Sequence, residues 1–210
     1  MKTVGLLGGS FNPAHGGHRR ISRFALDALG LDEVWWLVSP GNPLKGGAPD
    51  MAPLRARLAS AQLMASGFPI RATAIETVLG TRYTVDTLRA LVRLYPKTRF
   101  IWLMGADNLG QFHRWRDWRK IAQIVTIAVI ARPGYDRHAR ASPAMGWLRR
   151  FVRPPSQKLN WTTWRPPALV QLRFRPDPTS ATRLRQADPH WHRAFAHRVP
   201  RDGVTRLPVP

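Results

Sequence analysis

The chain has 210 residues, 44% hydrophobic and 21% charged, which suits one sizeable soluble α/β domain and is too short for two ordinary ones. It has no cysteine, which excludes disulfide frameworks, thiolate nucleophiles and cysteine-based zinc sites. Lys and Arg outnumber Asp and Glu by 33 to 12, a net charge of +21 that favours polyanions such as ATP, nucleic acid or anionic lipid.

Sixteen basic and four acidic residues lie between Arg132 and Pro210, scattered among prolines and tryptophans rather than gathered on one helical face. A solvated, arginine-rich surface is therefore preferred to nucleic-acid binding. Met1-Lys2-Thr3 and the apolar stretch that stops at Gly8-Gly9 do not form a signal-peptide pattern, and no run approaches membrane-spanning length. A cytoplasmic location with no membrane partner is expected.

In chain order, Val4 to Leu7 is a short apolar run ending at a glycine pair, as in a buried first strand. Ile21, Ala25, Ala28 and Leu29 then recur at helical steps from Gly16, and Gly30 closes the segment. Glu33 to Val38 reads as a second buried strand. A loop rich in Pro and Gly follows from Ser39 to Asp50. Pro53 opens a helix carrying Leu54, Leu58, Ala61 and Ala65 on one face. Ile70 to Ala74 is a strand, and Thr84 caps a helix that Pro96 ends. Arg99 to Met104 is a strand, followed by two short helical stretches to about Gln123. Ile124 to Ala131 is a strongly apolar strand. Strands alternating with helices predict an α/β fold, a Rossmann-like doubly wound parallel sheet with helices on both faces.

Beyond Arg132 the pattern degrades. Residues 136–168 are expected to be irregular and Pro-rich, with a strand at Leu169 to Phe174 and a helix beginning near Ser180. One domain is expected over residues 1–187, followed at 188–210 by a C-terminal helix and a loose tail.

In such sheets the ligand crevice lies beyond the carboxyl ends of the strands, the place occupied by Gly8-Gly9-Ser10-Phe11-Asn12-Pro13-Ala14-His15-Gly16-Gly17-His18. Glycines allow close backbone approach, and N–H groups at a helix start favour phosphate. Neither a Walker loop nor a Gly-x-Gly-x-x-Gly fingerprint is present, and Ser10 is in no nucleophile elbow. His15 and His18, three residues apart, project on the same side. Three chemistries fit them: helix capping, a zinc pair needing a third ligand that the other histidines do not supply at a recognisable spacing, or imidazole donors to phosphate oxygens.

The stretch Gly8 to His18 resembles the signature of the nucleotidylyltransferase superfamily, with His15 to His18 matching its His-x-Gly-His core. It is most similar to the bacterial nicotinate mononucleotide adenylyltransferase family. Thr179-Ser180-Ala181-Thr182-Arg183-Leu184-Arg185 resembles the second motif of that family, with Thr179 where isoleucine is usual. The resemblance extends to about residue 187. It implies transfer of AMP from ATP to nicotinate mononucleotide, giving deamido-NAD and pyrophosphate in NAD biosynthesis.

The resemblance further implies that His15, His18 and Arg185 are catalytic. ATP would be held by Gly8, Gly9, Ser10, Phe11, His15, His18, Asp107, Ser180, Thr182 and Arg185, and the mononucleotide by Lys45, Tyr83, Thr84, Trp115, Arg116 and Arg132. Arg132-Pro133-Gly134-Tyr135 and Gly105-Ala106-Asp107 match further segments of the family, whereas Trp118 is read as packing. Mg²⁺ is expected to be held by ATP phosphates and water, without a metal site of the protein. The alternatives are another acceptor, nicotinamide mononucleotide or phosphopantetheine, and a basic RNA-binding protein. Taken singly, Asp107 and Ser180 are also good helix caps, Trp115 a core aromatic and Lys45 a surface lysine.

Overall fold

The computed structural model describes residues 1–41, 50–131, 139–174 and 179–209. Its centre is β1 (Lys2–Gly9), and the other strands are β2 (Glu33–Val38), β3 (Ile70–Thr73), β4 (Thr98–Gly105), β5 (Thr126–Ala131), β6 (Val152–Arg153) and β7 (Leu169–Arg173). They form one sheet in the order β3-β2-β1-β4-β5-β7-β6, every pair parallel, as expected for the Rossmann-like α/β class. The order reverses between β1 and β4, and the crevice of such a sheet opens beyond the carboxyl ends of those two strands.

The central strands are apolar without alternation because helices cover both faces. Along β2, Val34, Trp36 and Val38 enter one core while Trp35 and Leu37 enter the other. The first core is packed by α1 (Gly16–Leu29) and α2 (Leu54–Ala65), the second by α4 (Thr84–Leu94), α5 (Ala106–Gln111) and α6 (Trp118–Ile124). Trp36 is fully buried, and its indole N–H donates to Ser22 Oγ of α1 at 2.7 Å. Truncating such a side chain to alanine costs about 3–5 kcal/mol. Gly30 ends α1 in the left-handed conformation at φ 60°.

Several elements differ from the sequence reading. A short helix α3 (Ile75–Leu79) follows β3 directly and ends at Gly80; five residues are too few to show a period. The cap of α4 is Tyr83, and Thr84 is its first helical residue. The apolar run at Ile124 begins as the end of α6, so β5 starts only at Thr126. Within 139–168 the chain forms α7 (Pro143–Leu148), capped by Ser142 Oγ, then the edge strand β6 and a 3-10 segment at Pro155–Thr163. Trp161 of that segment is buried and donates to the Leu29 carbonyl at 2.9 Å, which fixes it under α1. The helix near Ser180 is α8 (Ala181–Ala187), and the C-terminal helix expected within 188–210 is a 3-10 turn, Trp191–Phe195.

The C-terminal tail is packed rather than loose. Asp202 is fully buried and accepts from Thr73 Oγ1 and Ala74 N at 2.7 Å and from Val204 N at 2.9 Å. Gly203 N–H donates to the Ala72 carbonyl at 3.1 Å, so the tail covers the edge of β3. No periodicity announces such a segment, because one carboxylate, backbone bonds and the buried Val209 hold it.

Candidate active site

The turn from β1 into α1 begins with Gly8 and Gly9. A side chain on Gly8 would meet the indole of Trp102 at 2.8 Å, so the strand end lies directly on that ring. Ser10 is exposed at the mouth of the crevice, whereas Phe11 is 1% exposed. The Phe11 ring is stacked on Trp36, with centroids 5.1 Å apart, and touches the His18 ring at 4.7 Å. Its backbone is left-handed at φ 47°, a strained state for a residue with a Cβ. The Phe11 side chain is therefore core, and only its backbone is suited to a ligand contact.

His15 caps α1. Its Nδ1 accepts the Gly17 N–H at 3.1 Å, and His18 Nδ1 accepts the His15 N–H at 3.2 Å. A neutral imidazole whose Nδ1 accepts carries its proton on Nε2. Both rings are thus set as Nε2–H donors, with centroids 3.9 Å apart. Capping and ligand binding are compatible uses of two different nitrogens. A Cβ on Gly17 would lie 2.9 Å from the His15 ring, so this glycine is what lets the cap close. Among the described residues no cluster of three or more His, Asp or Glu could hold a metal, so the zinc reading finds no third ligand there.

The second motif folds against the first. The Thr179 carbonyl lies 3.5 Å from where a Gly17 Cβ would stand. Arg185, on α8, donates through one Nη to the Asn12 carbonyl at 2.6 Å and through Nε to Asp50 Oδ2 at 2.7 Å. Ser180 Oγ accepts the Arg183 N–H at 3.3 Å, which caps α8. Thr182 is exposed on the first turn of that helix. His15, His18 and Arg185 therefore converge on one turn from chain segments far apart.

Across the switch point, β4 ends at Gly105 and α5 begins. Asp107 folds its carboxylate back over the Gly105 Cα. It is exposed at the carboxyl end of β4 and does not cap α5. Beside it, Trp115 packs edge-on against Trp102 at 6.1 Å and Phe112 at 5.4 Å. The Arg116 guanidinium lies 4.6 Å over the Tyr83 ring, joining two of the expected acceptor contacts, and Thr84 follows at the start of α4. Trp118 is buried, as its packing role requires. Lys45 and Arg132, with Pro133-Gly134-Tyr135, lie outside the described residues.

Four residues that sequence reasoning passed over organise this region. Asn12, 3% exposed, donates to the Asp50 carbonyl at 2.9 Å and accepts from Ala52 N at 3.2 Å, tying the start of α2 to the turn. Asp50 orients Arg185. Arg57, 1% exposed, gives its guanidinium hydrogens to the carbonyls of Ala52, Ser10, Ser39 and Pro40 at 2.8, 2.8, 2.7 and 3.2 Å. Burial lowers its pKa to about 10, which leaves it charged at neutral pH. Glu76 on α3 is buried; desolvation pushes its carboxyl up to about 7, opposed by hydrogen bonds from Thr87 and Ser39. A visible signal existed for Arg57: it shares the helical stripe of Leu54, Leu58 and Ala61, where an arginine must be buried with partners.

The cytidylyltransferase-like family profile matches residues 6–187. A probable nicotinate-nucleotide adenylyltransferase of Erythrobacter litoralis is 61% identical over 206 residues, 98% of this chain and 94% of the relative. One from Parvibaculum lavamentivorans is 52% identical over 87% of this chain and 90% of its own. Among solved structures, a Plasmodium falciparum nicotinic acid mononucleotide adenylyltransferase complexed with NaAD superposes with a TM-score of 0.63 at 16% identity, over 89% of this chain and 83% of that one. At that identity the likeness concerns the fold. No described helix is long and apolar enough to cross a membrane.

Proposed function

The chain belongs to the cytidylyltransferase-like family, among its nicotinate-nucleotide adenylyltransferases, and we propose that its reaction, transfer of AMP from ATP to nicotinate mononucleotide, runs in the crevice between the His15–His18 turn and Asp107. The observation that carries this reading is the pair of imidazoles whose Nδ1 atoms are occupied by backbone N–H groups, which commits Nε2–H of each to donation.

The 5′-phosphate oxygen of the mononucleotide attacks the α-phosphorus of ATP. A new P–O bond forms to that oxygen, the bond from the α-phosphorus to the bridging oxygen breaks, and pyrophosphate leaves with the electron pair. The attacking phosphate is already ionised, so the step uses no general base and no enzyme nucleophile. What the protein supplies is alignment of two anions and stabilisation of charge as it shifts toward the leaving group. His15 and His18 donate to phosphate oxygens of ATP, and Arg185 adds a forked cation from α8. Gly8, Gly9, Ser10 and Phe11 offer backbone to the nucleotide, Ser180 and Thr182 flank the triphosphate, and Asp107 accepts from ribose hydroxyls.

Tyr83, Thr84, Trp115 and Arg116 form the acceptor side, with Lys45 and Arg132 assigned to it by resemblance. Mg²⁺ would be held by the triphosphate oxygens and water, where it would offset their negative charge.

A pyrophosphate-release assay with ATP and each of nicotinate mononucleotide, nicotinamide mononucleotide and phosphopantetheine tests this reading. Turnover is expected with nicotinate mononucleotide. Turnover with phosphopantetheine alone would overturn the acceptor assignment.

A further inference from the structure

Arg57 stands outside the motifs above yet touches the turn on which they depend. All four of its hydrogen-bond acceptors are main-chain carbonyls: Ser10 in the turn, Ser39 and Pro40 at the exit of β2, and Ala52 before α2. Among the described residues no carboxylate pairs with it. A buried cation held only by carbonyl dipoles is an expensive thing to keep in a fold, and mere packing would be served by an apolar side chain. Its location supplies a reason. The Ser10 carbonyl is drawn 2.8 Å from one Nη, and across a trans peptide the following N–H points the opposite way. The Phe11 N–H is thereby turned away from the guanidinium, and the left-handed Phe11 backbone, with its ring locked on Trp36, holds it there.

We propose that Arg57 is a positioning residue for the triphosphate: it fixes the Ser10–Phe11 peptide with its N–H toward the crevice and places behind that peptide a buried positive charge that the bound anion balances. The proposal rests on the reading that ATP occupies the His15–His18 turn. It separates Arg57 from His15, His18 and Arg185, because Arg57 acts through a peptide and through its field and makes no ligand contact of its own. A charge at such a site is weakly screened, so its influence grows with the charge of the ligand.

Calorimetric titration of Mg-ATP, AMP and adenosine into the wild type, Arg57→Gln and Arg57→Lys decides the matter. Arg57→Gln should weaken ATP on the order of tenfold or more, AMP less, and adenosine hardly at all. Arg57→Lys keeps the charge and should preserve the ATP-to-adenosine affinity ratio at neutral pH. That ratio should then fall, relative to wild type, as rising pH discharges the buried lysine. Equal weakening of ATP and adenosine by Arg57→Gln, or a pH-independent ratio in Arg57→Lys, overturns the proposal. So does a protein that circular dichroism finds unfolded with either residue, since Arg57 would then be a structural keystone only. Failure of the underlying reading looks different: in the wild type, the Phe11 and Gly17 amide resonances would then ignore ATP.

Discussion

Arg185 donates to the main-chain carbonyl of Asn12, 2.6 Å away, and the same guanidinium holds the Asp50 carboxylate at 2.7 Å. The Asn12 bond anchors the cation to the nucleotide turn, whereas Asp50 sets a negative charge where a triphosphate would add more. Asp50 is 55% exposed, so the pair is a modest one, worth at most about 1 kcal/mol. Asp50→Asn keeps an acceptor for Nε and removes the repulsion. It is expected to lower the KM for ATP by a few fold with kcat little changed. A raised KM would show instead that the carboxylate is needed to aim Arg185.

Arg185 itself gives both an anchored and a forked contact, which an ammonium reproduces poorly. Steady-state kinetics of Arg185→Lys should show kcat/KM reduced about ten- to a hundredfold, or roughly 1.4–2.8 kcal/mol of transition-state stabilisation. Wild-type efficiency in that variant would remove Arg185 from the catalytic set.

The two histidines can be split by nitrogen. His15→Asn offers an oxygen in place of Nδ1, a good helix cap, but nothing in place of Nε2. Its melting temperature should stay within a few degrees of wild type while kcat falls on the order of a hundredfold. His18→Ala removes a donor outright and should cost about a hundred- to a thousandfold in kcat, by analogy with loss of one oxyanion donor. Near-normal turnover in both would reduce the pair to a capping box. Gly17→Ala attacks the same geometry from outside, since its methyl would meet the His15 ring at 2.9 Å. Opening the cap costs about 0.5–2 kcal/mol, which the better helix propensity of alanine offsets in part, so stability should change little while kcat drops at least about tenfold.

These contrasts show where the sequence was readable. The His15–His18 and Ser180–Arg185 segments are short and contiguous, so their resemblance to the family's motifs is legible in the sequence, and the parallel sheet follows from apolar strands alternating with helices. The position of Arg57 on the apolar stripe of α2 announces its burial, but its partners, like those of Asn12 and Asp202, are hidden because they are main-chain atoms of distant segments: Arg57 reaches Ser10 over 47 positions and Asp202 reaches Ala74 over 128. Backbone acceptors leave no trace in residue identity. The packed tail leaves little signal for that reason, and α3 leaves none because one and a half turns carry no period.

Glu76 gives a prediction that pH alone can test. In the fold its carboxyl is raised from its ordinary 4.5 to about 7, chiefly by burial beside Ser39 and Thr87. The folded protein therefore holds this proton more tightly than the unfolded chain does. Stability from Glu76 is fully present below pH 4.5 and is lost as pH rises toward and through 7, by roughly 3 kcal/mol in the limit. Glu76→Gln mimics the protonated side chain and cannot ionise. Urea denaturation of both proteins at matched pH cancels the other titrating groups. Near pH 4.5 the two should be of similar stability, and by pH 8 the variant should be the more stable, with the gap opening between those limits. A stability difference that does not change with pH would mean that the carboxyl remains accessible to water and titrates as it does in the unfolded chain.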